Sequence, residues 1–256
     1  MTDFATYPSL AGTPVIISGG ASGIGESLVR NFAAQGAKVG FVDIAVEAGN
    51  ALVAELTLAG HTVKFTPCDV TDIPAYQAAI SGFAAAHGDA LVLVNNAAHD
   101  QRHDWSEVTP AYWDDRIAVN LKHQFFAIQA VAPGMIKASR GSIINTGSIS
   151  WMVMTPRIPI YETAKAAIHG MTRAMARELG KSGIRVNTLA PGWVMTERQL
   201  THWLDAAGEK ALDEAQALAG RVYPDDVARM ALFLASEDSA MISAQQFLVD
   251  GGWANV

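Results

Sequence analysis

The stretch that decides the fold is VIISGGASGIG, residues 15–25. A short run of aliphatic residues, Val15 to Ile17, leads into a turn rich in glycine, and a helical pattern starts directly afterwards. Glycine allows a tight turn and a close backbone approach, and the first N–H groups of a helix are free to bind an anion. The order of strand, glycine turn and helix therefore predicts a loop that binds the pyrophosphate of a dinucleotide.

Outward from this stretch, short strands and longer helices alternate along the whole chain. Six further apolar runs of strand length follow at residues 39–42, 62–65, 90–94, 142–145, 184–189 and 246–249, with helical stretches such as 26–35, 46–58 and 161–179 between them. The alternation predicts right-handed βαβ units in an α/β fold. We expect a Rossmann-type, doubly wound parallel sheet of about seven strands with helices on both faces, formed by a single domain over 1–256.

Composition limits the function classes that the chain can serve. Of its 256 residues, 50% are hydrophobic and 17% are charged, and the formal net charge is −7. A non-specific nucleic-acid binder would carry a basic patch, so the acidic balance argues against that function. The start of the chain, Met1–Pro8, lacks the regions of a signal peptide, and no apolar run reaches the ~18 residues of a membrane span. We expect a cytoplasmic protein without membrane attachment, in which the single cysteine, Cys68, has a packing role.

An acidic residue ends the second predicted strand, where the adenosine ribose of a dinucleotide would lie. Asp43 follows Gly25 by 18 residues. Its carboxylate can accept hydrogen bonds from both ribose hydroxyls, and it would repel a 2′-phosphate that no adjacent arginine compensates. The expected cofactor is therefore NAD rather than NADP.

Tyr161 and Lys165 are four residues apart in a predicted helix, so they share one face. A phenol is a poor acid–base catalyst at neutral pH because its ordinary pKa is near ~10. A neighbouring cation favours the phenolate and lowers that pKa. Taken alone, the spacing is equally typical of an amphipathic surface helix.

Other motifs give the pair a context. The glycines Gly19, Gly23 and Gly25 have a three-then-one spacing, the segment Asn95–Ala98 follows the fourth strand, and Ser148 precedes Tyr161 by 13 residues. Together these motifs resemble the short-chain dehydrogenase/reductase family over essentially the whole chain. One departure is Ala98, where the family usually has glycine, and we do not expect it to remove cofactor binding.

The resemblance implies a set of residues that contact the cofactor. They are Gly19, Ser22, Gly23, Ile24, Gly25, Asp43, Asp69, Val70, Asn95, Tyr161, Lys165, Pro191, Val194 and Thr196. Asp69 and Val70 would contact the adenine ring, and Val194 and Thr196 the nicotinamide carboxamide.

The resemblance also implies four catalytic residues. Tyr161 would take the proton of a substrate hydroxyl, and Lys165 would lower the pKa of the phenol and hold the nicotinamide ribose. Ser148 would bind the reacting oxygen, and Asn120 would anchor a water that links Lys165 to solvent. An asparagine in the middle of a helix is unfavourable when buried unless its amide is satisfied, so a polar role for Asn120 is plausible on its residue type as well.

Within the family, four segments resemble the bacterial aldose dehydrogenases, which oxidise C1 of galactose, xylose, arabinose or related pyranoses to a lactone. These segments are residues 99–103, 108–117, 120–126 and 147–151. The implied sugar contacts are Asp100, Arg102, His103, Ser148, Ser150, Trp151 and Trp193. The competing interpretation is that Arg102 and His103 brace their loop and that Trp151 only packs.

Several alternatives remain open from the sequence. The substrate could instead be that of a 3-oxoacyl or hydroxysteroid type reductase, or the chain could be an idle NAD-binding sensor. The segment 192–220 is predicted to be a mobile lid or, alternatively, an ordinary pair of surface helices. The family resemblance implies a homotetramer, with residues 251–256 as a candidate contact. No metal site is expected, because Arg102 separates His99 from His103 and no acidic helix context supports one.

Overall fold

Seven parallel strands form the sheet at the centre of the computed structural model, which describes residues 4–254. In chain order they are β1 (Pro14–Ser18), β2 (Lys38–Asp43), β3 (Val63–Pro67), β4 (Val92–Asn95), β5 (Gly141–Thr146), β6 (Ile184–Pro191) and β7 (Gln246–Val249). Their order across the sheet is β3-β2-β1-β4-β5-β6-β7. The seven predicted strands and the doubly wound α/β class are confirmed.

Helices cover both faces of this sheet. They are α1 (Gly23–Ala34), α2 (Val46–Leu58), α3 (Ile73–His87), α4 (Pro110–Ile117), α5 (His123–Ala138), α6 (Ser150–Val153), α7 (Pro159–Leu179), α8 (Glu197–His202), α9 (Ala206–Ala215) and α10 (Pro224–Ala235). A wider π-helical turn, Ala118–Lys122, joins α4 to α5. The predicted helices 26–35, 46–58 and 161–179 correspond to α1, α2 and α7. Within residues 4–254, no helix combines the length and the hydropathy that a membrane crossing requires.

The first strand shows why its sequence is a continuous apolar run. Val15 and Ile17 pack in one core cluster with Leu28 of α1, whereas Ile16 packs in a second cluster with Ile128 of α5. Val15, Ile16 and Ile17 are all buried. Successive side chains of a strand point to opposite faces, and helices cover both faces of this sheet. Cys68 packs against the second cluster, which confirms its packing role.

The direction in which the sheet grows reverses between β1 and β4. Strands β2 and β3 extend the sheet on one side of β1, and β4 to β7 extend it on the other. A crevice opens at the carboxyl ends of the strands at such a switch point, and ligands of open α/β sheets bind there. The glycine turn after β1 and the segment after β4 therefore lie together at the expected binding edge.

The segment 192–220, between β6 and α10, contains the two short helices α8 and α9. The helix-pair alternative therefore describes the backbone of this segment. These helices are only weakly anchored in the core, since α8 has no buried residue and α9 has one, Leu212. That the segment moves as a lid stays a prediction.

Candidate active site

The glycine turn is shaped by close backbone contacts. Gly19 has a φ of +67°, and a Cβ atom there would lie 2.9 Å from the Cα of Ala97. At Gly25 a Cβ would lie 1.6 Å from the carbonyl oxygen of Gly19. Any side chain would force the turn open at these two positions, which explains the glycines.

Hydrogen bonds hold this turn against the end of β4. The side chain of Asn96 donates to the carbonyl oxygens of Ser18 (3.1 Å) and Gly19 (2.9 Å). In return, Ser18 Oγ accepts from the backbone N–H groups of Asn96 (3.0 Å) and Ala97 (3.1 Å). The two strand ends that border the crevice are thus fixed to each other.

The start of α1 suits an anionic ligand. Ser22 precedes the helix in an extended conformation, and its hydroxyl makes no capping hydrogen bond. Ile24 is half-buried behind the turn and packs against the core. The first N–H groups of α1 therefore receive no side-chain acceptor from Ser22, and they carry the positive end of the helix dipole.

Asp43 has a structural role that the sequence did not indicate. Its Oδ2 accepts from the backbone N–H of Ala21 and its Oδ1 from that of Ala45, both at 2.9 Å. The carboxylate therefore ties the glycine turn to the end of β2. Each oxygen of a carboxylate can accept a second hydrogen bond, so the two ribose hydroxyls of a dinucleotide still fit as donors.

Three further predicted cofactor contacts, Asp69, Val70 and Asn95, lie in different environments. Asp69 is exposed and accepts from the N–H (2.9 Å) and the hydroxyl (2.8 Å) of Thr71, whereas Val70 is buried in the core. Asn95 is fully buried, and its amide donates to Asn145 Oδ1 at 2.9 Å. The side chain of Asn95 thus binds inside the sheet, and a contact of this residue with the cofactor stays a prediction.

Three of the four predicted catalytic residues lie where α7 meets the end of β5. Lys165 is buried, and its Nζ donates to the carbonyl oxygen of Thr146 at 2.8 Å. The same Nζ lies 5.3 Å from the centroid of the Tyr161 ring. Ser148 follows β5 and acts on the Tyr161 phenol by lowering its pKa. The predicted spacing on one helix face is therefore confirmed as a contact.

The pKa values of Tyr161 and Lys165 are both shifted in the direction that favours the neutral side chain. Burial raises the pKa of Tyr161, and the negative charge of Asp100 adds to the rise, while Ser148 and Arg102 act in the opposite direction. Burial also lowers the pKa of Lys165 to about 7. Burial thus outweighs the expected depression of the Tyr161 pKa, because it disfavours the charged form of both groups.

Asn120 lies in the π-helical turn and is fully buried. Its Nδ2 donates to the carbonyl oxygens of Arg116 (2.9 Å) and His99 (3.2 Å), and its Oδ1 accepts from the N–H of His99 (2.8 Å). The expected polar role is confirmed, but its partner is the chain after β4. Because both amide donors are committed to the backbone, the role of anchoring a water stays a prediction.

Three of the predicted sugar contacts, Asp100, Arg102 and His103, lie on the loop after β4. The carboxylate of Asp100 accepts from Gln199 Nε2 at 2.9 Å and from Arg198 Nε at 3.2 Å. The guanidinium of Arg102 lies 4.7 Å from the centroid of the Trp203 ring. Arg198, Gln199 and Trp203 belong to or follow α8, and the sequence did not single out any of the three as site residues. Their partners are about a hundred positions away in sequence, so no local pattern could have found them.

His103 contacts its own loop, as the competing interpretation expects, but its Nε2 is buried without a protein partner, so a sugar contact stays a prediction. Its Nδ1 contacts the carbonyl oxygen of Gln101 at 2.9 Å, and its ring packs edge-on against Tyr112 at 5.2 Å between centroids. The backbone N–H of His103 donates to the carbonyl oxygen of Arg157 at 2.9 Å. His99 faces Arg198 through Nε2 at 3.2 Å. Within residues 4–254, no three His, Cys, Asp or Glu side chains are grouped so as to hold a metal ion.

Unpartnered polar atoms lie among the remaining predicted sugar contacts. Ser150 begins α6, donates its N–H to Ser148 Oγ at 3.1 Å, and has a buried hydroxyl with no protein partner. The Nε1 of Trp193 is likewise buried without a partner, while Trp151 is half-buried. Buried polar groups are normally hydrogen-bonded, so a bound hydroxylated molecule or water would satisfy these atoms.

The segment after β6 approaches the glycine turn. Pro191 and Val194 are buried, and Val194 pairs with Val222. Thr196 caps α8 by accepting from the N–H of Gln199 at 3.3 Å, and its Cγ2 lies 3.1 Å from the position of a Cβ atom at Gly23. The predicted pyrophosphate turn and a residue predicted to contact the nicotinamide carboxamide are thus close neighbours across the crevice.

These features define the class of protein. A glycine turn at the switch point, an acidic residue at the end of β2 and a buried Tyr–Lys pair beside Ser148 fit a dinucleotide and a group that exchanges a proton. Dinucleotide binding next to a proton-transfer residue is the arrangement of a nicotinamide-dependent oxidoreductase.

Comparison with known proteins gives the family. A family model described as enoyl-(acyl carrier protein) reductase matches residues 19–254. The chain is 49% identical to D-xylose 1-dehydrogenase of Caulobacter vibrioides, over 97% of this chain and 98% of that protein. It is 43% identical to a probable galactose dehydrogenase of Rhizobium meliloti, over 96% of each. The chain belongs to the short-chain dehydrogenase/reductase family.

A solved relative agrees with this assignment. Gluconate 5-dehydrogenase from Burkholderia cenocepacia, in complex with NADP and tartrate, superposes with a TM-score of 0.89 at 32% identity, covering 96% of this chain and 97% of that one. The predicted family and enzyme class are therefore confirmed, and the family implies a nicotinamide cofactor. The residues around the crevice fit such a cofactor.

Proposed function

We propose that the protein oxidises an aldose in its pyranose form, D-galactose or a related sugar, at C1 to the lactone with NAD as the hydride acceptor. The observation that carries this proposal is the whole-length similarity to relatives named for D-xylose and galactose. The polar surroundings of Ser148 support it, since Ser150 offers an unpartnered hydroxyl next to the catalytic serine.

In the proposed reaction the anomeric carbon loses a hydride and its hydroxyl loses a proton, so that the C–OH becomes the carbonyl group of the lactone. Bound NAD supplies the hydride acceptor and a positive ring charge. Tyr161 takes the proton as the phenolate, a form that the positive charges of Lys165 and of bound NAD would stabilise, and Ser148 beside it would bind the reacting oxygen. Lys165, fixed by the carbonyl oxygen of Thr146, would hold the nicotinamide ribose and accept the proton onward.

The preference for NAD is proposed from Asp43. Its carboxylate faces the expected ribose position with acceptor capacity on both oxygens, and a 2′-phosphate there would meet a negative charge. The gluconate 5-dehydrogenase structure contains NADP, so the fold by itself does not select NAD, and the proposal rests on the charge of Asp43.

The alternative function is that of a 3-oxoacyl or hydroxysteroid type reductase. The description of the matching family model, an acyl carrier protein reductase, favours it. The charged Asp100 and Arg102 beside the catalytic pair disfavour an apolar acyl chain or steroid. An idle NAD-binding sensor is disfavoured because Asn120, Ser148 and the Tyr161–Lys165 pair are all present.

A substrate panel tests the proposal. Purified protein is assayed at 340 nm with D-galactose, D-xylose, L-arabinose and D-fucose, each with NAD and with NADP, and with a 3-oxoacyl ester and a ketosteroid plus NADPH. We expect NADH to form with at least one aldose, and roughly 10²- to 10⁴-fold more slowly with Tyr161→Phe. Reduction of the ester or steroid, with all aldoses inactive, would replace the proposed substrate.

We also propose a homo-oligomer, a tetramer by family resemblance, in the cytoplasm. Trp113 of α4 and Phe125 of α5 are 43% and 44% exposed, and such large apolar side chains suit a subunit interface. The other candidate contact, residues 251–256, includes positions 255 and 256, which lie outside the described residues. Light scattering after size exclusion gives the subunit number, and a monomeric mass at micromolar concentration would reject the tetramer.

A further inference from the structure

Asp100 joins two parts of the molecule that are far apart in sequence. It lies on the loop after β4, and its carboxylate accepts from Gln199 Nε2 (2.9 Å) and Arg198 Nε (3.2 Å) of α8. Only 18% of its side chain is exposed, compared with 45% for Arg198. Both carboxylate oxygens are thus used by the same short helix.

Neighbouring contacts strengthen this connection. The guanidinium of Arg102 is 3.4 Å from Asp100 Oδ2 and lies over the ring of Trp203, the residue after α8. The guanidinium of Arg198 also contacts His99 at 3.2 Å. Asp100 is therefore the shared acceptor of a polar cluster that spans the loop and the segment 192–220.

Apolar packing holds the same segment only weakly. Helix α8 buries no residue, and α9 buries only Leu212. Elements with few buried apolar contacts open at a low free-energy cost. For α8, the hydrogen bonds to Asp100 are consequently a large share of what holds it against the rest of the chain.

The cluster also borders the catalytic pair. The charge of Asp100 acts on both Tyr161 and Lys165, which requires that the carboxylate lie near them. Donors from Gln199, Arg198 and Arg102 already use three of the about four acceptor positions of the Asp100 carboxylate, so little capacity is left for a sugar hydroxyl.

We propose that Asp100 is a positioning residue that latches the segment 192–220 shut over the catalytic face by binding Gln199 and Arg198, and that it is not a ligand of the sugar. The inference rests on the proposed function only in that this face receives the substrate. When the latch opens, substrate and product can pass, and when it closes, water is excluded from the catalytic pair.

Limited proteolysis tests the latch without any substrate. Lys210 of α9 has a side chain that is 77% exposed, so trypsin cleavage after it reports opening of the segment. We expect Asp100→Ala, Arg198→Met and Gln199→Leu each to be cleaved there about 5- to 10-fold faster than the wild type, by loss of a charge-assisted or buried hydrogen bond. Glu197→Gln is the matched control, because Glu197 is exposed on the same helix and forms no ion pair among the described residues.

A double variant tests whether Asp100 and Gln199 act through the same contact, which sugar binding by Asp100 alone would not predict. The double variant Asp100→Ala/Gln199→Leu should be cleaved no faster than Asp100→Ala. In stopped-flow fluorescence, NADH should dissociate several-fold faster from each latch variant than from the wild type. Asp100→Asn keeps one acceptor for Gln199, so its cleavage rate should lie between those of the wild type and Asp100→Ala. This variant keeps the test decisive if Asp100→Ala fails to fold.

If Asp100 variants instead raise the KM for the sugar while proteolysis and NADH release stay at wild-type rates, Asp100 is a sugar ligand and the latch is rejected. Unchanged cleavage of the Arg198 and Gln199 variants would reject it equally. A failure of the proposed aldose activity would leave the proteolysis result as it is, so the two proposals can fail separately.

Discussion

Among single residues, burial decides the charges of the catalytic pair. Tyr161 and Lys165 are enclosed at the end of β5, and their pKa values move in opposite directions, upward for the phenol and downward for the ammonium. Both shifts favour neutral side chains, which need no compensation inside the protein. A positive charge that arrives beside the pair would favour the phenolate and move the phenol pKa back towards neutral pH.

Tyr161→Phe tests the assigned base. Removing the phenol oxygen should lower kcat by roughly 10²- to 10⁴-fold, the usual contribution of a positioned acid–base group. The Kd for NADH, from fluorescence titration, should stay within about twofold, since the ring and its packing remain. Tyr223→Phe, at an exposed position, is the control. A variant of Tyr161 with wild-type kcat would require another base.

Lys165→Met tests the buried ammonium through stability. The folded pKa is about 7 and the ordinary value is 10.5, so between these limits the unfolded chain holds a proton that the folded one lacks. The free energy of unfolding should therefore rise by roughly 1.4 kcal/mol per pH unit between pH 7 and 10.5 because of this group. The contribution of Lys165 to stability should be least favourable at pH 7 and below.

Urea unfolding at pH 7, 8 and 9 measures this slope as the difference between wild type and Lys165→Met. The variant should be the more stable protein at pH 7, and its advantage should shrink as the pH rises. The raised pKa of Tyr161 acts only at more alkaline pH, so it does not disturb the comparison. Lys210→Met, at an exposed position, should show no such trend. A flat difference would mean that Lys165 is protonated throughout.

Between elements, the sequence predicted what local pattern determines and missed what distant contacts determine. Val15 to Ile17 could be assigned to a strand covered on both faces because its apolar run is continuous, and Gly25 could be assigned to the turn by its spacing. The contact of Asp100 with Arg198 joins positions 98 residues apart, and no periodicity encodes it. The π-helical turn at Asn120 was likewise not predicted, because the sequence pattern of a helix does not show where its hydrogen bonds change to the wider π-helical spacing.

Asn120→Ala tests how that turn supports the loop after β4. The variant leaves the N–H of His99 and the carbonyl oxygens of Arg116 and His99 without their partner, so it should cost roughly 2–3 kcal/mol of unfolding free energy. Hydrogen exchange at the His99 amide should also become faster. Asn50→Ala, in an exposed position of α2, should be close to neutral. Unchanged exchange at His99 would show that the loop does not depend on Asn120.

At the level of the whole molecule, the crevice joins the two halves of the sheet. Asn96 connects the end of β4 to the glycine turn, and Asp43 connects that turn to the end of β2. Thr196 brings the segment after β6 to the same place. A dinucleotide bound there would contact elements from both halves, so its binding should stabilise the fold as a unit.

Thermal unfolding with either cofactor tests this coupling and the role of Asp43 together. NAD at about 100 times its Kd should add ~2.7 kcal/mol and raise Tm by roughly 5 to 10 °C for a chain of this size. NADP at the same concentration should raise it less, because its 2′-phosphate meets the carboxylate. In Asp43→Asn, which keeps an acceptor for the N–H of Ala21, the two shifts should become similar, whereas Glu178→Gln on the exposed end of α7 should keep the difference. An equal or larger shift with NADP in the wild type would contradict the proposed cofactor, since the charge of Asp43 would then not be what separates the two dinucleotides.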